Sequence, residues 1–315
     1  MHRAIHADTL CKLMIRRRFW MSPFNDMALT AVTLHSTSSM GAPTRPADSD
    51  TFLSPVLRAQ DPQKLLAWQD ACSIRPDTVQ VWAFVLDGPP DFIERCRSLL
   101  SPEERQRADR FVFERDRTRH TVAHALLRHL LSRYCLSDFP SLSPQSLRFS
   151  TTQPGKPAVQ FPTVPLQFNL THSEDRALLA VSAGFALGVD LEKVRSNIEA
   201  LSISRHYFFG SERDDIEKAL EETRAETFFR YWVAKEAVLK AQGIGLGFPL
   251  DRFRVAFDGH AAGEGHTNNA TVETLEPERL APGWHVRLLP CEAGWLGAVA
   301  AAGSDWDIEC KDPRL

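Results

Sequence analysis

The feature that most limits what this chain can fold into is a self-similarity. Arg176-Ala-Leu-Leu-Ala-Val-Ser-Ala-Gly184 returns approximately as Gly294-Trp-Leu-Gly-Ala-Val-Ala-Ala-Ala-Gly303. Each run follows an amphipathic helical stretch, and the two stretches are offset by about 110 residues. A repeat of that length is a whole supersecondary unit, so the expected fold is α+β, built from two similar, pseudo-duplicated α/β halves with the active site between them. The 315 residues leave room for such a core and a tail.

Local patterns place the elements. Val79, Val81, Ala83 and Val85 alternate with Gln80, Trp82 and Phe84 in a strand-like run closed by Asp87-Gly88-Pro89-Pro90. Ser101-Pro102-Glu103-Glu104 has the form of a capping box, and Val122, Leu126, Leu127, Leu130 and Leu131 repeat at helical spacing over residues 116–134. Strands are expected at 147–150, 166–169 and 177–181. The second half has helical material over 211–242, with an apolar stripe through Phe228, Phe229, Trp232 and Val238, then strands near 253–257, 270–275, 285–289 and 296–301. The expected division is a poorly ordered N-terminal tail over 1–75, an N-terminal half over 76–186, a C-terminal half over 187–305 and a C-terminal tail over 306–315. The first tail begins with Arg16, Arg17 and Arg18 in a short amphipathic stretch and continues through a Ser/Thr/Pro/Ala-rich run without helical or strand period.

Composition excludes several classes. A formal net charge of −3 argues against bulk nucleic-acid binding while leaving room for a local basic groove. No apolar run approaches the roughly 20 residues that span a bilayer. The six cysteines form no CxxC pair, which fits reduced thiols and a cytoplasmic location better than a disulfide framework.

Four segments could carry chemistry. In Gly188-Val189-Asp190-Leu191-Glu192 the two carboxylates at i and i+2 point to one side of an extended strand. They suit a hard divalent cation, or are simply an exposed strand end. In Trp232-Val-Ala-Lys235-Glu236-Ala-Val-Leu-Lys240, Trp232, Glu236 and Lys240 share a helical face beside Lys235, a surface ion-pair stripe being the bland alternative. Gly155-Lys156-Pro157 and Phe168-Asn169-Leu170-Thr171-His172-Ser173 would offer a lysine, a hydroxyl and an imidazole on loops, suited to phosphate oxygens or to ordinary turns. His120 and His124, at i and i+4, could be half of a zinc site, yet no HExxH pattern accompanies them and they fit a nucleotide cleft or a wet face better. Neither Cys135 nor residues 184–188 sit in a convincing setting for thiol catalysis or a dinucleotide loop.

In order and spacing these segments, with Ser101-Pro102-Glu103-Glu104-Arg105, Phe208-Phe209 followed by Glu212, and Gly243 and Gly245, resemble the Sfp-type 4'-phosphopantetheinyl transferases over residues 99–255. The resemblance implies two α/β halves clasping coenzyme A, and Mg2+ held by Asp190, Glu192 and Glu236. It implies cofactor contacts from Arg107, Arg119, Lys156, Thr171, His172, Lys235 and Lys240, with Asp190, Glu192, Glu236 and Lys240 as the catalytic set and Glu236 the candidate base. Thr171 stands where many members have serine. The implied reaction moves phosphopantetheine from coenzyme A to a serine of an apo acyl or peptidyl carrier protein, releasing adenosine 3',5'-bisphosphate. Basic and aromatic groups over 204–209 would meet the carrier, Phe208 and Phe209 being core residues in the alternative reading. No nucleic acid or membrane partner is expected, and a monomer suffices because one chain holds both halves. Two rivals remain open: a metal-dependent phosphohydrolase acting on a nucleotide-containing diphosphate, and an inactive coenzyme A or carrier-binding module.

Overall fold

The computed structural model describes residues 56–152, 156–258 and 267–312. The arginine-rich start, Gly155 and the last three residues lie outside them. After α1 (Pro62–Ala67) the chain runs β1 (Thr78–Val85), α2 (Pro90–Leu99), α3 (Pro102–Asp109), α4 (Glu114–Cys135), β2 (Arg148–Thr152), β3 (Lys156–Phe161), β4 (Leu166–Ser173) and β5 (Arg176–Ala183). It then repeats the sequence of a strand, three helices and four strands as β6 (Leu187–Lys193), α5 (Ala200–Tyr207), α6 (Gly210–Lys218), α7 (Glu221–Gln242), β7 (Phe253–Phe257), β8 (Asn269–Thr274), β9 (Trp284–Leu289) and β10 (Trp295–Ala302). A last strand, β11 (Asp307–Cys310), returns to the first half.

The first half's main sheet has the order β11-β1-β5-β4 and the second half's β6-β10-β9-β8-β7, with β2 and β3 paired as a separate hairpin. Side-chain alternation assigns the faces. Trp82, Phe84, Phe168, Leu179 and Val181 pack with Leu126, Leu127 and Leu130 of α4. Val79, Val81, Leu178 and Ala180 turn the other way and meet Val189, Leu191, Val299 and Ala301 of the second sheet. That sheet's opposite face, through Ala298, Ala300 and Val286, packs under Phe229, Val233 and Ala237 of α7. The result is helix, sheet, sheet, helix, with the two halves joined through the apolar faces of their sheets.

Both expected tails are corrected where the structure describes them. Leu57 pairs with Cys291 and Gln60 with Phe84 as isolated bridges, and Leu65 of α1 is fully buried. β11 pairs in parallel with β1, and Trp306 is buried between the halves. These segments lack a long period because each contributes only one or two anchoring side chains to a surface built by other elements.

Candidate active site

The site begins with a glycine. Gly188 sits on the helix-facing side of β6, where an added Cβ would lie 2.2 Å from the carbonyl oxygen of Ala237 and 2.4 Å from the backbone nitrogen of Ala241. Backbone atoms cannot yield as a flexible side chain can, so only glycine lets α7 lie this close to β6. Two and four residues further on, Asp190 and Glu192 turn to the same side of the strand, and both are buried.

Three separate segments meet at Asp190. Lys240 Nζ of α7 donates to Asp190 Oδ1 at 2.7 Å and to Thr171 Oγ1 of β4 at 2.8 Å, while Thr171 Oγ1 lies 3.2 Å from Asp190 Oδ1. Next along both strands, Ser173 Oγ donates to Glu192 Oε2 at 2.7 Å. One step back, Asn169 Oδ1 accepts from the amide of Val189 at 2.9 Å. β4 and β6 form no backbone ladder with each other, so alternate side chains of β4 bind β6 instead. The residues expected on loops therefore stand on an edge strand, and Thr171 and Ser173 project from one face of it towards β6. Lys156, the first residue of β3, donates across the same boundary to the carbonyls of Leu187 at 2.7 Å and Ala241 at 3.2 Å. Burial pushes its pKa down to about 8.

Glu236 is buried on α7 one turn before Lys240, the side of the helix that the strand acids face. The donor set suits magnesium: three carboxylates offer oxygen alone, and buried carboxylates require compensating positive charge. The acids are not gathered into a finished cage, since among the described residues no three His, Cys, Asp or Glu side chains are grouped as a metal site. Asp190 and Glu192 are nonetheless already oriented, the first by Lys240 and Thr171, the second by Ser173.

The remaining expected contacts are spread over α7, α4, α3 and β4. Lys235 is corrected: its side chain is fully buried on the far side of α7, 2.9 Å from Glu212 Oε1, and donates to the carbonyls of Leu250 and Phe253. It points into the core because residue 235 is rotated by about 100° from Glu236 around the helix. Arg119 lies 3.8 Å from Glu174 in the β4–β5 turn, which Arg195 also reaches at 3.0 Å, so it stands beside the end of β4. Arg107 is half-buried on α3. His172 is half-buried on β4 and alternates with Thr171 and Ser173.

His120 and His124 stack with ring centroids 4.1 Å apart, and His124 Nδ1 lies 3.3 Å from Glu104 Oε1. Burial drives the His120 imidazole down to about 2, with the charges of His124 and Arg107 acting in the same direction, so it is neutral. The pair is part of the α3–α4 packing. Phe208 is a core residue, stacked on Phe228 at 5.3 Å, while Arg205 and His206 stay exposed. Reading the sequence missed Gly188 as the close-approach residue, Ser173 as the partner of Glu192 and Glu212 as the partner of Lys235. All three lay inside quoted motifs, but the third is 23 residues from its lysine, so no local pattern pairs them.

Two family models cover most of this architecture. One described as "4'-phosphopantetheinyl transferase, N-terminal" matches residues 90–184, and one described as "4'-phosphopantetheinyl transferase superfamily" matches residues 186–286. The 4'-phosphopantetheinyl transferase HetI of Nostoc sp. (strain PCC 7120 / SAG 25.82 / UTEX 2576) is 32% identical over 234 residues, 73% of this chain and 90% of the relative. The chain belongs to the 4'-phosphopantetheinyl transferase superfamily. The transferase is also similar to 4'-phosphopantetheinyl transferase Sfp of Bacillus subtilis (strain 168), at 28% identity over 72% of this chain and 94% of the relative. A third relative, the L-aminoadipate-semialdehyde dehydrogenase-phosphopantetheinyl transferase of Rattus norvegicus, is 30% identical over 54% of this chain and 58% of its own length. Among the transferase's described residues no helix is long and apolar enough to cross a membrane.

Proposed function

We propose that this enzyme transfers phosphopantetheine from coenzyme A to a serine hydroxyl of an apo acyl or peptidyl carrier protein. The observation that carries the reading is the junction of Lys240, Thr171 and Asp190, which joins three sequence-distant motifs at the boundary of the halves. In the reaction the serine oxygen forms a bond to the phosphorus bearing pantetheine, the bond from that phosphorus to the bridging oxygen breaks, and adenosine 3',5'-bisphosphate leaves. The chain supplies no nucleophile. Its residues align attacker with leaving group and neutralise charge gathering on phosphate oxygens.

Glu236 is the base that takes the serine proton, and Lys240 offers its positive charge to the diphosphate beside Asp190. Arg119, Lys156 and His172 serve in this reading as further phosphate contacts, with Arg107 contributing from α3. Asp190, Glu192 and Glu236 are the residues that would hold Mg2+, which supplies Lewis-acid stabilisation of phosphoryl oxygens when bound. Arg205 and His206, exposed at the end of α5, form the basic edge that an acidic carrier surface would meet. The described cysteines are free, which suits the cytoplasm, and one chain supplies both halves of the site, which suits a monomer.

The test is mass spectrometry of a panel of apo-carriers incubated with the enzyme, coenzyme A and Mg2+. A carrier serine gains one phosphopantetheine. Release of adenosine bisphosphate from coenzyme A without any acceptor would mark a phosphohydrolase, and no mass gain on any carrier would mark a binding module.

A further inference from the structure

Ser173 is placed to govern Glu192. Its Oγ lies 2.7 Å from Glu192 Oε2 and 3.3 Å from the backbone nitrogen of Lys193, and both side chains are buried. An amide N–H can only donate, so the Ser173 oxygen accepts from Lys193 and its single proton is committed to Glu192. The backbone of β6 thus sets the direction in which the hydroxyl donates to a side chain of that same strand. The arrangement is repeated two residues earlier, where Lys240 donates to Thr171 Oγ1 and leaves the threonine proton for Asp190 Oδ1.

We propose that Ser173 is a positioning residue of the metal centre, fixing the plane of the Glu192 carboxylate so that it is presented to a divalent cation ready-made. The proposal rests on the reading that Glu192 is a magnesium ligand. A side chain that only stapled β4 to β6 would support every ligand equally, whereas a hydrogen bond to one liganding carboxylate acts on the metal.

The probe is Mn2+, whose binding to the enzyme with coenzyme A present is read by electron paramagnetic resonance. Ser173→Ala is expected to weaken Mn2+ binding by roughly 10- to 100-fold, the usual effect of losing an outer hydrogen-bond partner of a ligand. Coenzyme A affinity measured without metal is expected to stay unchanged. Ser173→Thr, which keeps a hydroxyl in a strand that tolerates β-branching, is expected to restore most of the Mn2+ affinity. If the alanine variant does not fold, Ser173→Cys, close in size but a weak donor, is expected to show the same selective loss. Mn2+ binding by folded Ser173→Ala equal to that of the wild type would overturn the proposal, as would parallel losses of Mn2+ and coenzyme A affinity. A wild-type enzyme that takes up no Mn2+ would instead remove the magnesium reading itself, and this inference with it.

Discussion

Lys235 and Glu236 are adjacent in sequence and differ in what surrounds them. Lys235 has its ammonium 4.0 Å from the ring centre of Phe253 and 2.9 Å from Glu212, whose second role is to accept from the amides of Phe209 and Val255. Burial pushes the lysine pKa down and the glutamate pKa up, and each partner opposes the shift of the other. Removing one member leaves a charge without its counter-ion in the core, so Lys235→Met is expected to cost about 3–5 kcal/mol of stability, read by urea unfolding. Glu236→Gln should leave the unfolding midpoint nearly unchanged and lower turnover by roughly 10²- to 10⁴-fold, the usual contribution of a general base. Its coenzyme A affinity should fall much less. A stable Lys235→Met that had lost coenzyme A affinity would return that lysine to the site.

At the scale of elements, α3 shows one residue serving two structures. Ser101 and Glu104 form a reciprocal capping box at its start, at 2.8 Å and 3.2 Å. The same glutamate receives Arg128 Nε of α4 at 2.6 Å and faces His124 at 3.3 Å. Burial alone would raise its pKa, but the bonds and charges of His124 and Arg128 hold it at about 2, against an ordinary value of 4.5. A depressed carboxylate pKa means that the folded state binds fewer protons, so the stabilisation is complete above about pH 4.5 and lost as pH falls towards 2. At neutral pH the shift corresponds to about 3 kcal/mol. Glu104→Gln is therefore expected to unfold earlier in urea at pH 7, with the gap from the wild type closing as pH falls through that window. The cap was legible because its partners are three residues apart, whereas the bond to Arg128 was not, since it joins residues 24 apart through a helix packing that no local period encodes.

The same division of local from distant explains the site. The Asp190 and Glu192 pair was legible because a strand's period puts i and i+2 on one side, and the two helices because their stripes repeat. Lys235 was misplaced because a motif fixes identity and spacing, while the face a helix turns to its core depends on what packs there.

At the scale of the molecule, a duplicated strand, helices and strands unit yields two sheets whose faces pack together, and the boundary is then crossed by polar side chains. Several of those crossings carry a carboxylate or a hydroxyl, and Lys156 adds an ammonium that donates to the carbonyl oxygens of Leu187 and Ala241. Burial disfavours the charged form of this amine and brings its pKa from 10.5 to about 8. Part of the enzyme thus holds a neutral amine at pH 8. A phosphate of coenzyme A arriving at this amine favours the ammonium, so binding near that pH is expected to take up protons. Calorimetric binding enthalpies measured in buffers of different ionisation enthalpy should then lie on a sloped line. Lys156→Arg, charged at every accessible pH, should flatten that slope while retaining binding. A flat line for the wild type would mean that no phosphate reaches Lys156, leaving it as a clasp between the halves and the diphosphate to Lys240 and the arginines.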